Sequence, residues 1–310
     1  MPIWRNRLAL AKIEATYGTS SAPASTDALL FTELDVQQLA VELTERETIQ
    51  AFMGARASIV TQRSVPVRST VEFAGSGTAG TAPRWAPLLR AAGCSETLVA
   101  STSATYAPVS SAFPSYTMDF YADTGSRQLI TGIRGGASLT METGSVPTIA
   151  FDQMGLFATP TALSLPTPTY TLQATPVAVT SGNTTAVSVH GVNACMQSFS
   201  FNTGTEMTFR QLAGCSAEVL ITDRMPTGSI TIELPTTAAL NLIDKVTTQA
   251  TGAITFQHGQ TAGNIITFNA GQCAFDSPTI QEADSITMVT LPFRALPTSA
   301  GNNEYSIAFT

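Results

Sequence analysis

The strongest constraint on the fold is an internal repeat with a period of about 160 residues. Residues 60–73 (VTQRSVPVRSTVEF) correspond to residues 221–233 (ITDRMPTGSITIE), with Arg63 matching Arg224 at a separation of 161. Self-similarity at a fixed long period indicates that one structural unit occurs twice. The sequence therefore predicts a duplicated fold.

The repeat extends in both directions from this segment. Upstream, residues 35–43 align with 195–202, and downstream a pair of hairpin-like segments, 116–133, aligns with 253–268 at a separation of 138. The difference between the two separations, 160 minus 138, is 22 residues. A Ser/Thr/Ala/Pro-rich loop at about 93–115 accounts for it as one insertion in the first copy.

The repeat divides the 310 residues into two domains, each long enough to bury its own core. We predict a first domain over 1–157 and a second over 177–310, joined by a Pro-rich, semi-rigid linker at 158–176. The first domain begins with an arm, 1–28, which either packs on another surface or is a disordered terminus.

Composition predicts a β-rich protein with few charges. Charged residues make up 12% of the chain, about half the usual quarter, and the net charge is −7. A protein that grips nucleic-acid phosphates needs clustered Lys and Arg, so this class is disfavoured. The apolar run Leu8–Ala11 is too short for a signal peptide, and no 18-residue apolar stretch predicts a membrane span.

The local pattern predicts strands, with one helix in each copy. Leu39, Val41 and Leu43 alternate with polar residues, as in a strand with one solvated face. Residues 83–92 predict a short helix, and residues 236–248 predict its equivalent, opened by a Pro-Thr-Thr cap. Each helix is expected to close one face of a β unit.

Two loops, 44–58 and 203–217, carry apolar residues that an exposed loop does not need. These loops either contact a partner or fold back onto their own core. The candidate contact residues are Ile49, Phe52, Met53, Met207 and Phe209.

Catalytic, cofactor and metal sites are not predicted. His190 and His258 have no ligand-spaced partners, and the glycine-rich segment 74–80 lacks the Lys-Ser/Thr ending of a phosphate loop. The spacing of Cys94, Cys195, Cys215 and Cys273 favours buried free thiols over disulfides or a metal site. We consider a glycosidase-like pair of carboxylates among Asp119, Asp123 and Asp152. These residues are scattered over predicted strands and turns, which favours solvated positions over such a pair.

Four segments in order resemble the tail tube (major tail) proteins of long-tailed, non-contractile bacteriophages, in their duplicated form. They are LAKIEATYGTS (10–20), VEFAGSGTAGTAPRWAPLLRAAG (71–93), LITDRMPTGSITIELPT (220–236) and FQHGQTAGNIITF (256–268). The resemblance covers most of the chain. It implies a mainly β fold of two tandem tail-tube β-sandwich or half-barrel domains, each with one flanking α-helix, which form a shared β-barrel ring on assembly.

The function implied by the resemblance is structural. Stacked rings form the virion tail, assembled in the bacterial cytoplasm, through which double-stranded DNA passes without specific binding. Implied partners are further copies of the chain, the tape-measure protein, and the tail terminator and distal tail proteins. Strand alternation selects the residues expected to face the channel, although a one-residue slip would exchange the faces: Glu42, Thr70, Glu72, Ser198, Ser200, Thr231 and Glu233.

The duplication also predicts the symmetry of the ring. The resemblance implies rings of six single domains, so a two-domain chain would form trimers with approximate sixfold symmetry. In a competing arrangement the second domain decorates the outside of a six-chain ring. Two other functions stay open: the inner tube of a contractile tail or pyocin-like particle, and a β-sandwich module that binds a receptor or glycan.

Overall fold

The computed structural model describes residues 6–122 and 125–310. The described part of the first half contains ten strands, a single turn of 3-10 helix at Ser25–Asp27, and the helix α1 (Ala86–Ala91). The strands are β1 (Leu8–Ile13), β2 (Glu33–Val36), β3 (Ala40–Glu45), β4 (Ser58–Glu72), β5 (Cys94–Val99), β6 (Ser103–Pro108), β7 (Tyr116–Ala122), β8 (Ser126–Glu142), β9 (Thr148–Leu156) and β10 (Thr161–Ala162).

The second half contains eleven strands and the helix α2 (Leu242–Thr247). The strands are β11 (Thr184–Val189), β12 (Val192–Asn193), β13 (Met196–Asn202), β14 (Thr205–Arg210), β15 (Glu218–Arg224), β16 (Thr227–Glu233), β17 (Gly252–His258), β18 (Ile266–Phe275), β19 (Thr279–Ala283), β20 (Ile286–Ala295) and β21 (Ser306–Phe309). The prediction of a mainly β fold with one helix in each half is confirmed.

One antiparallel array of eight strands runs through both halves. Its order is β2–β4–β9–β8–β13–β16–β20–β19, so the first four strands belong to the first half and the last four to the second. The join is the pairing of β8 with β13, where Ser138 lies opposite Asn202 and Glu142 opposite Ser198. We call this array the front sheet.

Behind the front sheet lie further strands of each half and the two helices. In the first half β1 pairs with β7 and β7 with the start of β8. In the second half β11 pairs with β17, and β17 with β18. The core between the layers is apolar because one face of the six inner front strands consists mainly of buried residues, including Val71, Phe151, Phe199, Ile230 and Leu291, all at most 2% exposed.

The helices fill the same place in each half, but they begin differently. α1 carries Pro87 in its first turn, and it buries Leu88 and Leu89. α2 is shorter than the predicted 236–248 and is capped by Asn241, whose side chain accepts a hydrogen bond from Asp244 N at 3.2 Å. The predicted Pro-Thr-Thr cap was therefore wrong, and Asn at the N-cap explains the observed start.

The two halves are also joined behind the front sheet. β6 pairs with β21, the last strand of the second half. The glycine-rich segment 74–80 packs against the second half, with Gly75 N donating to Asn264 Oδ1 at 2.7 Å. A Cβ at Gly75 would lie 2.1 Å from the carbonyl oxygen of Gly263, so only glycine permits this approach.

Three segments differ from their predicted conformation. The surplus segment 93–115 was predicted to be a loop, but β5 and β6 form a hairpin within it. The described part of the arm 1–28 packs on its own chain, because β1 pairs with β7 and Leu8–Ala11 are buried. The linker 158–176 contributes β10 and hydrogen bonds to the first half, such as Ala174 N to Gly75 O at 3.0 Å.

Candidate assembly surfaces

The face of the front sheet away from the core is polar across both halves. Paired residues point to the same side of a sheet, so the register defines rows of side chains. One row comprises Glu72, Thr148, Thr140, Ser200 and Ser229. The next comprises Glu142, Ser198, Thr231, Thr290 and Thr279.

Six of the seven residues predicted to line a channel lie together on this polar face: Thr70, Glu72, Ser198, Ser200, Thr231 and Glu233. Hydroxyl groups bridge neighbouring strands, with Thr231 Oγ1 lying 2.9 Å from Thr290 Oγ1. Glu42 does not belong to the group. It pairs with Gln62 on a hairpin beyond the end of the front sheet.

Acidic side chains outnumber basic ones on the polar face. Among the front-strand residues of this face the basic ones are Arg68, Arg134 and Arg294, of which Arg134 is buried. The acidic ones are Glu33, Asp35, Glu72, Glu142, Asp152 and Glu233. Arg68 lies 3.4 Å from Asp152, and both side chains are more than 60% exposed, so this pair contributes little stability. The face therefore presents hydroxyls and negative charge.

The front sheet ends in two strands that each have only one strand partner among the described residues. β2 pairs with β4 alone, and β19 pairs with β20 alone. An edge strand exposes unpaired N–H and C=O groups, which can hydrogen-bond to a strand of another chain. Ile280 on β19 is 64% exposed, which is unusual for a large apolar residue in a strand.

A hairpin extends from the front sheet in each half. The first hairpin is β3 with residues 58–63 of β4, and the second hairpin is β14 with β15. A bulge at Glu42/Leu43 in the first matches a bulge at Glu206/Met207 in the second. The shared bulge and the Arg63–Arg224 match show that the hairpins are equivalent.

The hairpins differ in the loops at their tips. The first loop spans 46–57, which is twelve residues, and the second spans 211–217, which is seven. In the first loop the exposed fractions are 102% for Ile49, 72% for Phe52 and 100% for Met53. The rest of the described chain leaves these three side chains largely uncovered.

Met207 and Phe209 lie in β14, not in the predicted exposed loop 203–217. They alternate as half-buried residues with exposed Glu206, Thr208 and Arg210. The prediction failed because the connection between equivalent residues is three residues shorter in the second copy, with 17 residues from Leu43 to Val60 and 14 from Met207 to Ile221, and this shifts the strand that precedes the loop. The sequence alignment of 35–43 with 195–202 ignored this shift.

The second hairpin packs on the first half through a network around Arg134. Arg134 Nη1 donates to Val219 O at 2.9 Å and to Glu218 Oε1 at 3.1 Å, and its guanidinium lies 4.3 Å from the ring centre of Tyr17. Val219 N donates to Tyr17 Oη at 2.6 Å. Burial raises the pKa of Tyr17, so its hydroxyl stays protonated at neutral pH.

The first hairpin has no comparable cover. Val41 is 42% exposed, Leu43 57% and Val60 42%. The alternation of Leu39, Val41 and Leu43 predicted a strand with its apolar side buried, and this prediction was wrong for the single chain. The apolar side exists, but each of these three residues keeps more than two fifths of its surface exposed.

The titratable groups have structural roles in this arrangement. Asp119 was predicted to be solvated, but it is buried in β7 and lies 2.8 Å from Arg127, and burial raises its pKa. Asp123 lies outside the described residues. Cys94 and Cys273 are buried free thiols, with pKa values raised by burial to about 11 and about 12, whereas Cys195 and Cys215 are exposed, contrary to the prediction.

Residues 6–122 and 125–310 contain no group of three His, Cys, Asp or Glu side chains that could hold a metal ion. Within the same residues, no helix is long and apolar enough to cross a membrane.

Sequence reasoning missed the edge strands and the β8–β13 join. Residues 279–283 (TIQEA) carry no strand pattern of their own. An alignment with residues 138–142 (SLTME), the part of β8 that pairs with β13, would have suggested a common role. The free edges then follow from the duplication.

Taken together, these features are those of a structural protein with two free sheet edges and one hairpin whose apolar face is exposed. The model of the phage tail tube protein family matches residues 4–295, which is nearly the whole chain. The chain therefore belongs to the phage tail tube protein family, and it is a structural component of a virion tail that assembles with itself into a tube. No curated protein matches the sequence.

Proposed function

We propose that three copies of the chain close into a ring, and that stacked rings form the tail tube of a long-tailed, non-contractile phage. Double-stranded DNA passes through this tube into the host. Each chain supplies two adjacent sixths of the ring. The observation that supports the proposal is the continuity of the front sheet across the β8–β13 join.

The join serves as a template for the contact between chains. In β8–β9–β4 the row is Thr140, Thr148 and Glu72, and in β19–β20–β16 it is Gln281, Met288 and Glu233. β19 therefore corresponds to the part of β8 that pairs with β13, and β2 corresponds to β13. Pairing β19 of one chain with β2 of the next would repeat the join.

The template also fixes the register of the new pairing. Thr140 lies opposite Ser200 at the join. Ser200 corresponds to Asp35, because Ser200 pairs with Ser229 and Asp35 pairs with Arg68, which is 161 residues before Ser229. Gln281 of one chain is therefore expected to lie opposite Asp35 of the next, with both on the polar face.

Exposure at the β19 edge agrees with this pairing. Leu139, on the core side of β8 at the join, is 2% exposed, whereas its counterpart Ile280 on β19 is 64% exposed. A neighbouring chain on β19 would cover Ile280 as β13 covers Leu139. Closing the sheet would also remove both free edges, which otherwise favour aggregation.

In the closed ring the polar face lines the channel. It carries the six predicted channel residues: Thr70, Glu72, Ser198, Ser200, Thr231 and Glu233. The opposite face is occupied by the core, so it is unavailable to a channel. DNA carries one charge per ~1.7 Å of axis, and a basic lining would bind it by releasing counterions. A lining of hydroxyls and carboxylates lets DNA slide.

The role implies further partners. During assembly in the bacterial cytoplasm the channel holds the tape-measure protein, and the ends of the tube contact the tail terminator and distal tail proteins. The β5–β6 hairpin lies on the outside of the ring, since the channel must stay clear. The chain requires no cofactor for this role.

Counting the chains in one ring tests the symmetry. Three chains, each with eight front strands, would give a barrel of 24 strands with exact threefold symmetry. We expect cryo-electron microscopy of tubes and native mass spectrometry of single rings to show three chains. Six chains per ring would refute the trimer, and discrete globules without rings would refute the tube.

The loop 46–57 is expected to contact the adjacent ring. Ile49, Phe52 and Met53 are bare in the chain, and their burial between rings would contribute favourable free energy. Replacing both Phe52 and Met53 with Ser should leave the melting temperature of the chain unchanged and prevent tube growth beyond rings. A Leu212→Ser variant in the shorter second loop provides the control, and normal tube growth by the double variant would exclude the stacking role.

A further inference from the structure

The two equivalent hairpins differ in how far their apolar face is exposed. The second hairpin places Met207 and Ile221, a directly paired couple, as half-buried residues against the first half. The bulge match assigns Leu43 and Val60 to the same two places in the first hairpin. These residues are 57% and 42% exposed, so the same face is more exposed in the first hairpin than in the second.

The covered hairpin shows what such a face contacts. β14 and β15 lie on the end of α1 and on β8, where Thr205 Oγ1 donates to Ala92 O at 3.2 Å. Arg134 of β8 donates hydrogen bonds to Val219 O and to Glu218 Oε1. We call the surface that the hairpin contacts the receiving surface. It belongs to the first half, and the strand β8 of that half pairs with β13, the strand that precedes the hairpin.

We propose that the first hairpin packs on the second half of a neighbouring chain, and we call this contact the clasp. The neighbour is the chain whose β19 pairs with β2 of the chain that carries the hairpin. This inference rests on the proposed ring and specifies a second contact between its subunits. β2 leads into β3 as β13 leads into β14, so closure of the β19–β2 pair carries the first hairpin onto that neighbour. The equivalent receiving surface is the end of α2 with the turn at 248–251, and the end of β18.

Polar groups at the same places fit this assignment. Arg224 at the base of the second hairpin donates to Val109 O and to Ser110 Oγ of the first half. It also lies 2.8 Å from Glu304 of its own half, and its side chain is only 15% exposed. Its counterpart Arg63 has no carboxylate partner among the ion pairs of the described residues and stands 5.9 Å from the ring centre of Phe157. The receiving surface offers exposed Gln249, along with Asp276 in a half-exposed pair with Arg294.

Two adjacent residues allow a matched test. Val60 pairs with Leu43 on the bare face, whereas Ile59 pairs with Thr44 on the opposite face and is 54% exposed. A single Asp at either position adds one charge to an exposed strand position, so neither should unfold the chain. We expect Val60→Asp to reduce ring formation at least tenfold and Ile59→Asp to leave it close to the unsubstituted level.

Ring formation is measured by native mass spectrometry, with the melting temperature of each unassembled chain as the check on folding. Hydrogen exchange should show protection of 248–251 in rings relative to free chains. Equal ring formation by the two variants would overturn the clasp, as would a Val60→Asp protein that forms rings but not tubes. If the unsubstituted chain forms no rings, the proposed function itself fails, which is a separate outcome.

Discussion

A proline in the free edge of β19 is expected to abolish ring closure without unfolding the chain. Neighbouring residues in an antiparallel edge strand direct their N–H groups alternately toward the partner strand and away from it. Of Ile280 and Gln281, one N–H therefore points to β20 and the other to the free edge. Proline at the outward position removes a donor needed only by the next chain and also obstructs its approach.

Both variants, Ile280→Pro and Gln281→Pro, are needed because they serve as controls for each other. Thermal melting identifies the outward position as the variant with the smaller loss of stability. This variant should remain a monomer at concentrations where the unsubstituted chain forms rings, as measured by sedimentation velocity. Rings of normal size and yield from this variant would exclude β19 as the closing edge.

Replacing Phe268 with Ala is expected to cause a large loss of stability in the second half. Phe268 is fully buried, and its ring centre lies 5.0 Å from those of Phe199 and Phe201 and 5.3 Å from that of Phe256. Removing a buried phenyl ring leaves a cavity, and such changes lower the free energy of unfolding by about 3–5 kcal/mol. Denaturant unfolding of the unassembled chain measures the change.

The matched control is Phe52→Ala, which removes the same atoms from a residue that is 72% exposed. Its free energy of unfolding should change by less than about 0.5 kcal/mol. A loss below about 1 kcal/mol for Phe268→Ala would contradict the view that this aromatic cluster holds the two layers of the second half together.

The sequence predicted the features that repeat or alternate. The β-rich class, the helices near Trp85 and Leu242, and the apolar side of the strand around Val71 all follow from periodic patterns, which reflect burial directly. The placement of Thr70 and Thr231 on one polar face followed from the same alternation. Turn glycines matched as well, with Gly125 and Gly263 both between paired strands.

The features that were missed depend on contacts between distant segments. The pairing of β8 with β13 leaves no local signal, because Ser138 and Asn202 suit many strand positions. Leu43 was assigned to a buried face because its pattern is that of a buried strand, but the surface that would cover it is absent from a single chain. In the proposed ring this face is covered by the neighbouring chain, so the pattern around Leu43 would record burial in the assembly and not in one subunit.

The join between β8 and β13 has a consequence for the kinetics of assembly. In each chain the two domains that form two sixths of the proposed ring are already joined in one sheet. Forming the first closed ring therefore requires the association of three chains, not of six separate domains. Each association step that the covalent link makes unnecessary would have cost translational and rotational entropy, on the order of several kcal/mol. Nucleation should therefore depend on a lower power of the protein concentration than in a tube of single domains, and tubes should start at lower concentrations of chain.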